Sequence, residues 1–136
     1  MWKYDMTDNS IVKNSSQALM FEILGEPASK SNSRRMIKIG GMPRLIKSVK
    51  ALSYSELFKH QMKDLGLTKK NMIQGDVVVH IMIWYASRRP DLDESLILDL
   101  LQGFAYENDR QVKEKHIYWG LDRENPRCAI RIEPKK

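Results

Sequence analysis

The spacing of apolar residues changes along this 136-residue chain, and each spacing predicts an element. Asp76 to Ala86 (DVVVHIMIWYA) is apolar and β-branched almost throughout. Such a run predicts a strand in the middle of a sheet, and Pro90 ends it. Gln17 to Leu24 (QALMFEIL) predicts an earlier strand, stopped by Gly25 and Pro27. Two short stretches, RMIKIG and PRLIKS, are separated by Gly40-Gly41 and predict a hairpin. HIYWGL and RCAIRIE predict the last strands, broken by Arg123-Glu124-Asn125-Pro126. The period turns helical twice. Ser53 to Leu65 carries Leu52, Leu57, Met62 and Leu65 as apolar positions, with Gly66 to cap the end. Asp93 to Gln102 carries Ile97, Leu100, Leu101 and Phe104 at i, i+3, i+4, i+7 and closes at Gly103.

Met1 to Ser16 is polar and without period, which predicts a loose N-terminal arm before a single domain over residues 17–136. Strands bunched at both ends around two helices predict an α+β fold, a mixed sheet with two main helices packed on it. No internal repeat is visible.

Charge adds a partner to this picture. The chain has 23 Lys+Arg against 17 Asp+Glu, a net charge of +6, which favours nucleic acid or another polyanion. Its only cysteine, Cys128, excludes an intramolecular disulfide and suits a reducing interior. The longest apolar run, Val77 to Ala86, is well short of the roughly 20 residues that span a bilayer. The first residues lack the apolar core of a signal peptide. The expectation is a cytoplasmic, soluble protein with no membrane partner.

Against that positive background, acids gather between Arg88 and Gln111: Asp91 and Asp93, then Asp99, then Glu107 and Asp109. In an extended turn, residues i and i+2 point the same way, so Asp91 and Asp93 can converge on one site. Asp is also a preferred helix N-cap, and either could cap the second helix. One cap uses one Asp. Asp99 falls opposite Ile97 and Leu101, beside Ser95 and Gln102, where an ordinary solvated residue would also sit. Asn108-Asp109 is good turn chemistry, and the bend FAYEN can bring Asp109 back beside the helix start. Taken together, these acids could assemble a carboxylate cage. Several converging carboxylates repel one another unless a hard cation such as Mg²⁺ or Mn²⁺ joins them. Such a cation polarises a phosphoryl oxygen and acidifies bound water. The residues therefore point to a metal-dependent nuclease.

RRPDLD, a leucine-rich helix ending in LLQG, and then AYENDRQV resemble the RusA family of Holliday junction endonucleases, common in phages and prophages. The opening GEPASKSNSRR is similar to that family's first loop, and the resemblance runs from about Phe21 to Ile132. It implies a homodimeric α+β endonuclease that cuts branched DNA with Mg²⁺ in recombination and repair. By motif, Asp91 and Asp93 match the D-x-D, and Asp109 matches the essential Asp before x-Gln. These three are implied to be catalytic metal ligands, with Asp99 as a further ligand. The chain departs from the family twice. Glu94 stands where Asn usually follows the D-x-D, and there is no Lys between Asp91 and Val112. Arg110, Lys113 or Lys30 would then have to neutralise the phosphate. Glu94 could add a ligand or simply favour the helix dipole as a first-turn acid.

Lys30, Arg34, Arg35, Lys38, Arg44, Lys47 and Lys50 occur within 21 residues that hold no acid. They predict a DNA-backbone surface, joined by Arg89, Arg110 and Lys113. Trp84, Tyr85, Tyr118 and Trp119 lie in predicted strands and read as core or dimer interface. His60, His80 and His116 have no metal-ligand spacing and read as structural. Two further functions stay open: a non-catalytic junction-binding dimer of the same descent, and a nuclease with a broader range of branched substrates.

Overall fold

The structure is a computed structural model describing residues 12–13, 18–29 and 34–136 of the chain. A five-stranded sheet runs in the order β1 (Val12–Lys13), β2 (Leu19–Leu24), β7 (Arg127–Pro134), β5 (Val77–Tyr85) and β6 (Val112–Leu121). β5 lies parallel to β6 and antiparallel to β7, so the most apolar strand is paired on both sides. β2 closes antiparallel on β7, and Val12–Lys13, inside the predicted arm, adds a short rung to β2. The sheet is mixed, as the pattern predicted.

Two helices cover one face of it. α1 (Val49–Asp64) starts earlier than the predicted Ser53, because the Ser48 Oγ accepts from the Ala51 N–H at 3.2 Å and caps it. Its end follows the prediction. Gly66, at φ +79°, donates to Lys63 and Leu67 donates to Met62, which closes the last turn. The apolar face is shifted from the predicted one. Ala51, Tyr54, Phe58 and Met62 enter the core, while Leu52 and Leu57 are exposed. The helix carries apolar residues on two sides, and the i, i+3, i+7, i+11 row starting at Ala51 is the one that meets the sheet.

α2 (Ser95–Leu101) is shorter than predicted, but Ile97, Leu100 and Leu101 are buried as expected and Phe104 packs at the edge of the core. The core these helices close includes Phe21, Ile23, Ile81, Ile83, Ile130 and Ile132. The opposite face of the sheet carries His80, Trp84, His116 and Arg127. There His80 and His116 stack at 4.9 Å, and the Arg127 guanidinium lies 4.1 Å above the Trp84 ring. Tyr85 is buried, and Trp119 stacks on it at 6.3 Å from the edge of the core.

β3 (Arg34–Ile39) and β4 (Met42–Lys47) form the predicted hairpin across Gly40-Gly41, both glycines having positive φ. The hairpin is a separate two-stranded sheet. No helix among the described residues is long and apolar enough to cross a membrane.

Cys128 is fully buried, 3.7 Å from the Tyr54 hydroxyl, and burial pushes its thiol pKa up to about 12. The thiolate is the reactive form, so the native thiol should resist iodoacetamide at pH 8 and react once urea unfolds the chain. The folded state keeps this proton to higher pH than the unfolded state. Stability is therefore expected to fall as pH rises from about 9 toward 12. Rapid alkylation of the native protein would contradict this packing.

Candidate active site

Because β5 and β6 are parallel, the chain must cross over between them, and that crossover (86–111) is the acidic segment. Two buried tyrosines tie it to the core. The Tyr85 hydroxyl, at the end of β5, accepts from the Asp93 N–H at 3.2 Å. The Tyr106 hydroxyl donates to the Leu98 carbonyl at 2.8 Å and so holds α2 from behind. Burial raises both phenol pKa values above the ordinary range. At Tyr85 the Asp93 N–H opposes the effect while the Asp93, Glu26 and Glu94 charges add to it, and the Asp109 and Asp99 charges add to it at Tyr106. Each tyrosine therefore marks a group of acids.

Asp91 is exposed on the loop after β5 and makes no hydrogen bond or ion pair with the described residues. Asp93 is half-buried. Its Oδ1 accepts from the Ser95 N–H at 2.9 Å and from the Ser95 hydroxyl at 2.6 Å, so it secures the start of α2. Neither aspartate is the N-cap that the sequence suggested: Glu94 holds that position without a side-chain cap bond, and Asp93, one residue before it, binds the first helical residue from outside the helix. Asp99 and Asp109 are both exposed. The Asp109 N–H donates to the Gln102 Oε1 at 3.0 Å, which brings the returning chain beside the end of α2 and not beside its start as the bend predicted, because Gln102 is the residue that caps the helix C-terminus. Asp93 thus stands at one tyrosine, and Asp99 and Asp109 stand at the other. Among the described residues, no three of His, Cys, Asp or Glu form a group that could hold a metal ion. The donor chemistry suits a hard divalent cation, since these are carboxylate oxygens and those of Asp91, Asp99 and Asp109 are exposed. The arrangement is two subsets of acids.

Several site residues escaped the sequence reading. Glu26 Oε1 accepts from the Ala86 N–H at 2.8 Å, and its Oε2 lies 3.4 Å from the Lys50 ammonium. With Pro27, Ser29, Ser87, Arg89 and Pro90 these residues line a cleft of about 280 Å³ just ahead of the D-x-D. Lys115, on β6, reaches Glu94 Oε2 at 2.6 Å and brings to this segment a lysine that its own sequence lacks. Neither pairing could be read locally, because its partners are 24 and 21 residues apart. Gln111 did have a signal, the Asp-x-Gln spacing. Its Oε1 accepts from the Glu107 and Asn108 N–H groups, and its Nε2 donates to the Ile73 and Gly75 carbonyls. It clamps the short 3₁₀ turn carrying Asp109 to the entry of β5.

The predicted DNA-contacting cations fall in three places. Lys38 and Arg44 are exposed on the hairpin, and the backbones of Arg34, Arg35 and Lys47 belong to the same two strands. Arg89 is exposed at the cleft. Arg110 and Lys113 are exposed beside Asp109, with the Arg110 Nε donating to Asn108 Oδ1. Lys30 and the side chains of Arg34, Arg35 and Lys47 lie outside the described residues.

The family model described as Endodeoxyribonuclease RusA matches residues 25–133, from the glycine after β2 almost to the end of β7. By class the protein is a nuclease, a hydrolase of phosphodiester bonds. The chain belongs to the RusA family of Holliday junction endodeoxyribonucleases. No curated protein matches it.

Asp93→Asn keeps an Oδ1 acceptor for Ser95 and should change stability by less than about 0.5 kcal/mol, whereas Asp93→Ala should cost about 1 kcal/mol. Urea unfolding compares the two directly. Gln111→Ala removes four hydrogen bonds and should cost roughly 2–6 kcal/mol, at about 0.5–1.5 kcal/mol each. Its mark would be faster hydrogen exchange at residues 107–111; unchanged exchange would mean that the turn holds without the clamp.

Proposed function

We propose that this protein is a Mg²⁺-dependent endonuclease that resolves four-way DNA junctions by paired symmetric nicks, acting as a homodimer. The observation that carries this reading is the D-x-D on the β5–α2 loop, with Asp91 exposed and Asp93 half-buried, inside the span matched by the family model. Asp91, Asp93 and Asp109, with Asp99 as a fourth, are assigned as ligands of Mg²⁺, for which Mn²⁺ can substitute; since they stand as two subsets, the cation would have to draw them together. When bound, the cation would supply Lewis-acid polarisation of the phosphate and acidification of a water.

The chain's own residues have separable roles. Asp93, through Ser95 and Tyr85, fixes the loop that presents Asp91. Gln102 and Gln111 fix the turn that presents Asp109. Lys115 places positive charge next to the D-x-D, where the phosphate gathers negative charge during displacement. Arg89, Arg110 and Lys113 extend that positive charge along the DNA backbone. Two active sites suit a junction, because resolution requires a cut in each of two strands. The lack of a lysine within the segment favours a second reading, a junction-binding dimer without cleavage.

The test uses a labelled four-way junction, with duplex and single-stranded controls, in Mg²⁺ and in EDTA. Symmetric nicks that need Mg²⁺ are expected on the junction alone. Asp91→Asn should lower the cleavage rate by on the order of 10²-fold or more, the scale of losing one preorganised charged group, while junction binding persists or tightens. Binding with no cleavage in Mg²⁺ or Mn²⁺ would establish the non-catalytic reading. Cleavage of flaps or RNA at equal rates would establish the broader nuclease.

A further inference from the structure

We infer that the β3–β4 hairpin is a wedge whose apolar tip inserts between bases at the branch point of the DNA; this rests on the junction reading above. Met36, Ile39 and Met42 are 64%, 56% and 63% exposed, and all three lie on this hairpin. Single exposed apolar residues are ordinary, and Met36 leaves the other face of the ribbon, but Ile39 and Met42 form one exposed apolar pair that awaits a partner. Ile39 and Met42 are cross-strand partners on either side of Gly40-Gly41, so their side chains leave the same face at the very tip. The two glycines add no side chain to shield them.

The composition of the hairpin selects the partner. Residues 34–47 contain Arg34, Arg35, Lys38, Arg44 and Lys47 and no acid. A ribbon with cations along its length and an apolar pair at its end matches a phosphate-lined groove that leads to base faces. Ile and Met are among the side chains that wedge between base steps, and the insertion is easiest where stacking is already broken. A branch point is such a place.

Its position in the fold agrees. Ser29, five residues ahead of the described start of the hairpin, and Lys50, three residues past its end, both line the cleft next to Arg89 and Pro90. The ribbon is thus rooted just ahead of the D-x-D, and six strand residues at about 3.3 Å each reach roughly 20 Å from that root. A branch held at the tip would keep the neighbouring strand within range of the acidic loop.

The experiment places 2-aminopurine at the branch of a four-way junction and follows its fluorescence on binding, in EDTA, with junction integrity checked on a gel. Wild type should raise the fluorescence by unstacking the reporter. Ile39→Ser/Met42→Ser, which keeps every charge, should lose that rise and lose on the order of 10-fold in junction affinity with duplex affinity unchanged. Lys38→Ala/Arg44→Ala should weaken binding to junction and duplex alike and flatten the salt dependence. Far-UV circular dichroism confirms that each variant is folded.

A tip variant that keeps the full rise, while wild type prefers the junction, overturns the wedge and leaves the junction reading intact. Equal binding of junction and duplex by wild type overturns both. A tip variant that keeps the rise but loses binding to anionic vesicles, or its dimer in sedimentation, reassigns the tip to a membrane or a second subunit.

Discussion

The parallel pairing of β5 with β6 is the constraint on which the rest of this protein depends. Two parallel strands cannot be joined by a tight turn, so the chain must leave one end of β5 and return to the other. The returning segment carries Asp91, Asp93, Asp99 and Asp109. The sheet therefore has a crossover for topological reasons, and the acids exploit it: they occupy exposed backbone whose two ends are fixed by the most buried strand of the fold. α2 is short, but Ile97 and Leu101 in the core prevent it from drifting.

Polar atoms at the edge of the core turn that topology into position. Tyr85 and Tyr106 bury their rings and extend one hydroxyl each to the crossover backbone, to Asp93 and to Leu98. Glutamines do the same work at the other end, with Gln111 bound to the Ile73 and Gly75 carbonyls just before β5 and Gln102 receiving Asp109. These are neutral groups. They fix the acids without neutralising them, whereas lysines in the same places would have paired with the carboxylates. Lys50 and Lys115 form their ion pairs with Glu26 and Glu94 and not with the aspartates.

Much of the fold could be read from the chain because its strands follow simple rules. Val77–Tyr85 has too few polar residues for an exposed face, and Gly40-Gly41 between two short apolar runs leaves few alternatives to a hairpin. The reading failed where periodicity was ambiguous. α1 has apolar residues on two sides, so its period points to Leu52 and Leu57 as well, although the sheet selects Ala51, Tyr54 and Phe58. Its true start at Val49 depends on a single serine cap, a weak signal beside a predicted strand that ended at that same Ser48.

By itself the sequence determined which acids stand near one another along the chain, how the basic residues are segregated from them, and that α2 presents one buried face. Those properties are local, set by spacing and by side-chain chemistry. The tertiary structure alone decided that Asp93 and not Asp91 secures the helix, that Asp99 and Asp109 share one tyrosine, and that Glu26 and Lys115 belong to the acidic loop. Each of these depends on which strands pair and in what register. Residues far apart in sequence become neighbours only when the sheet forms, and a single chain's sequence carries no local signal of that register.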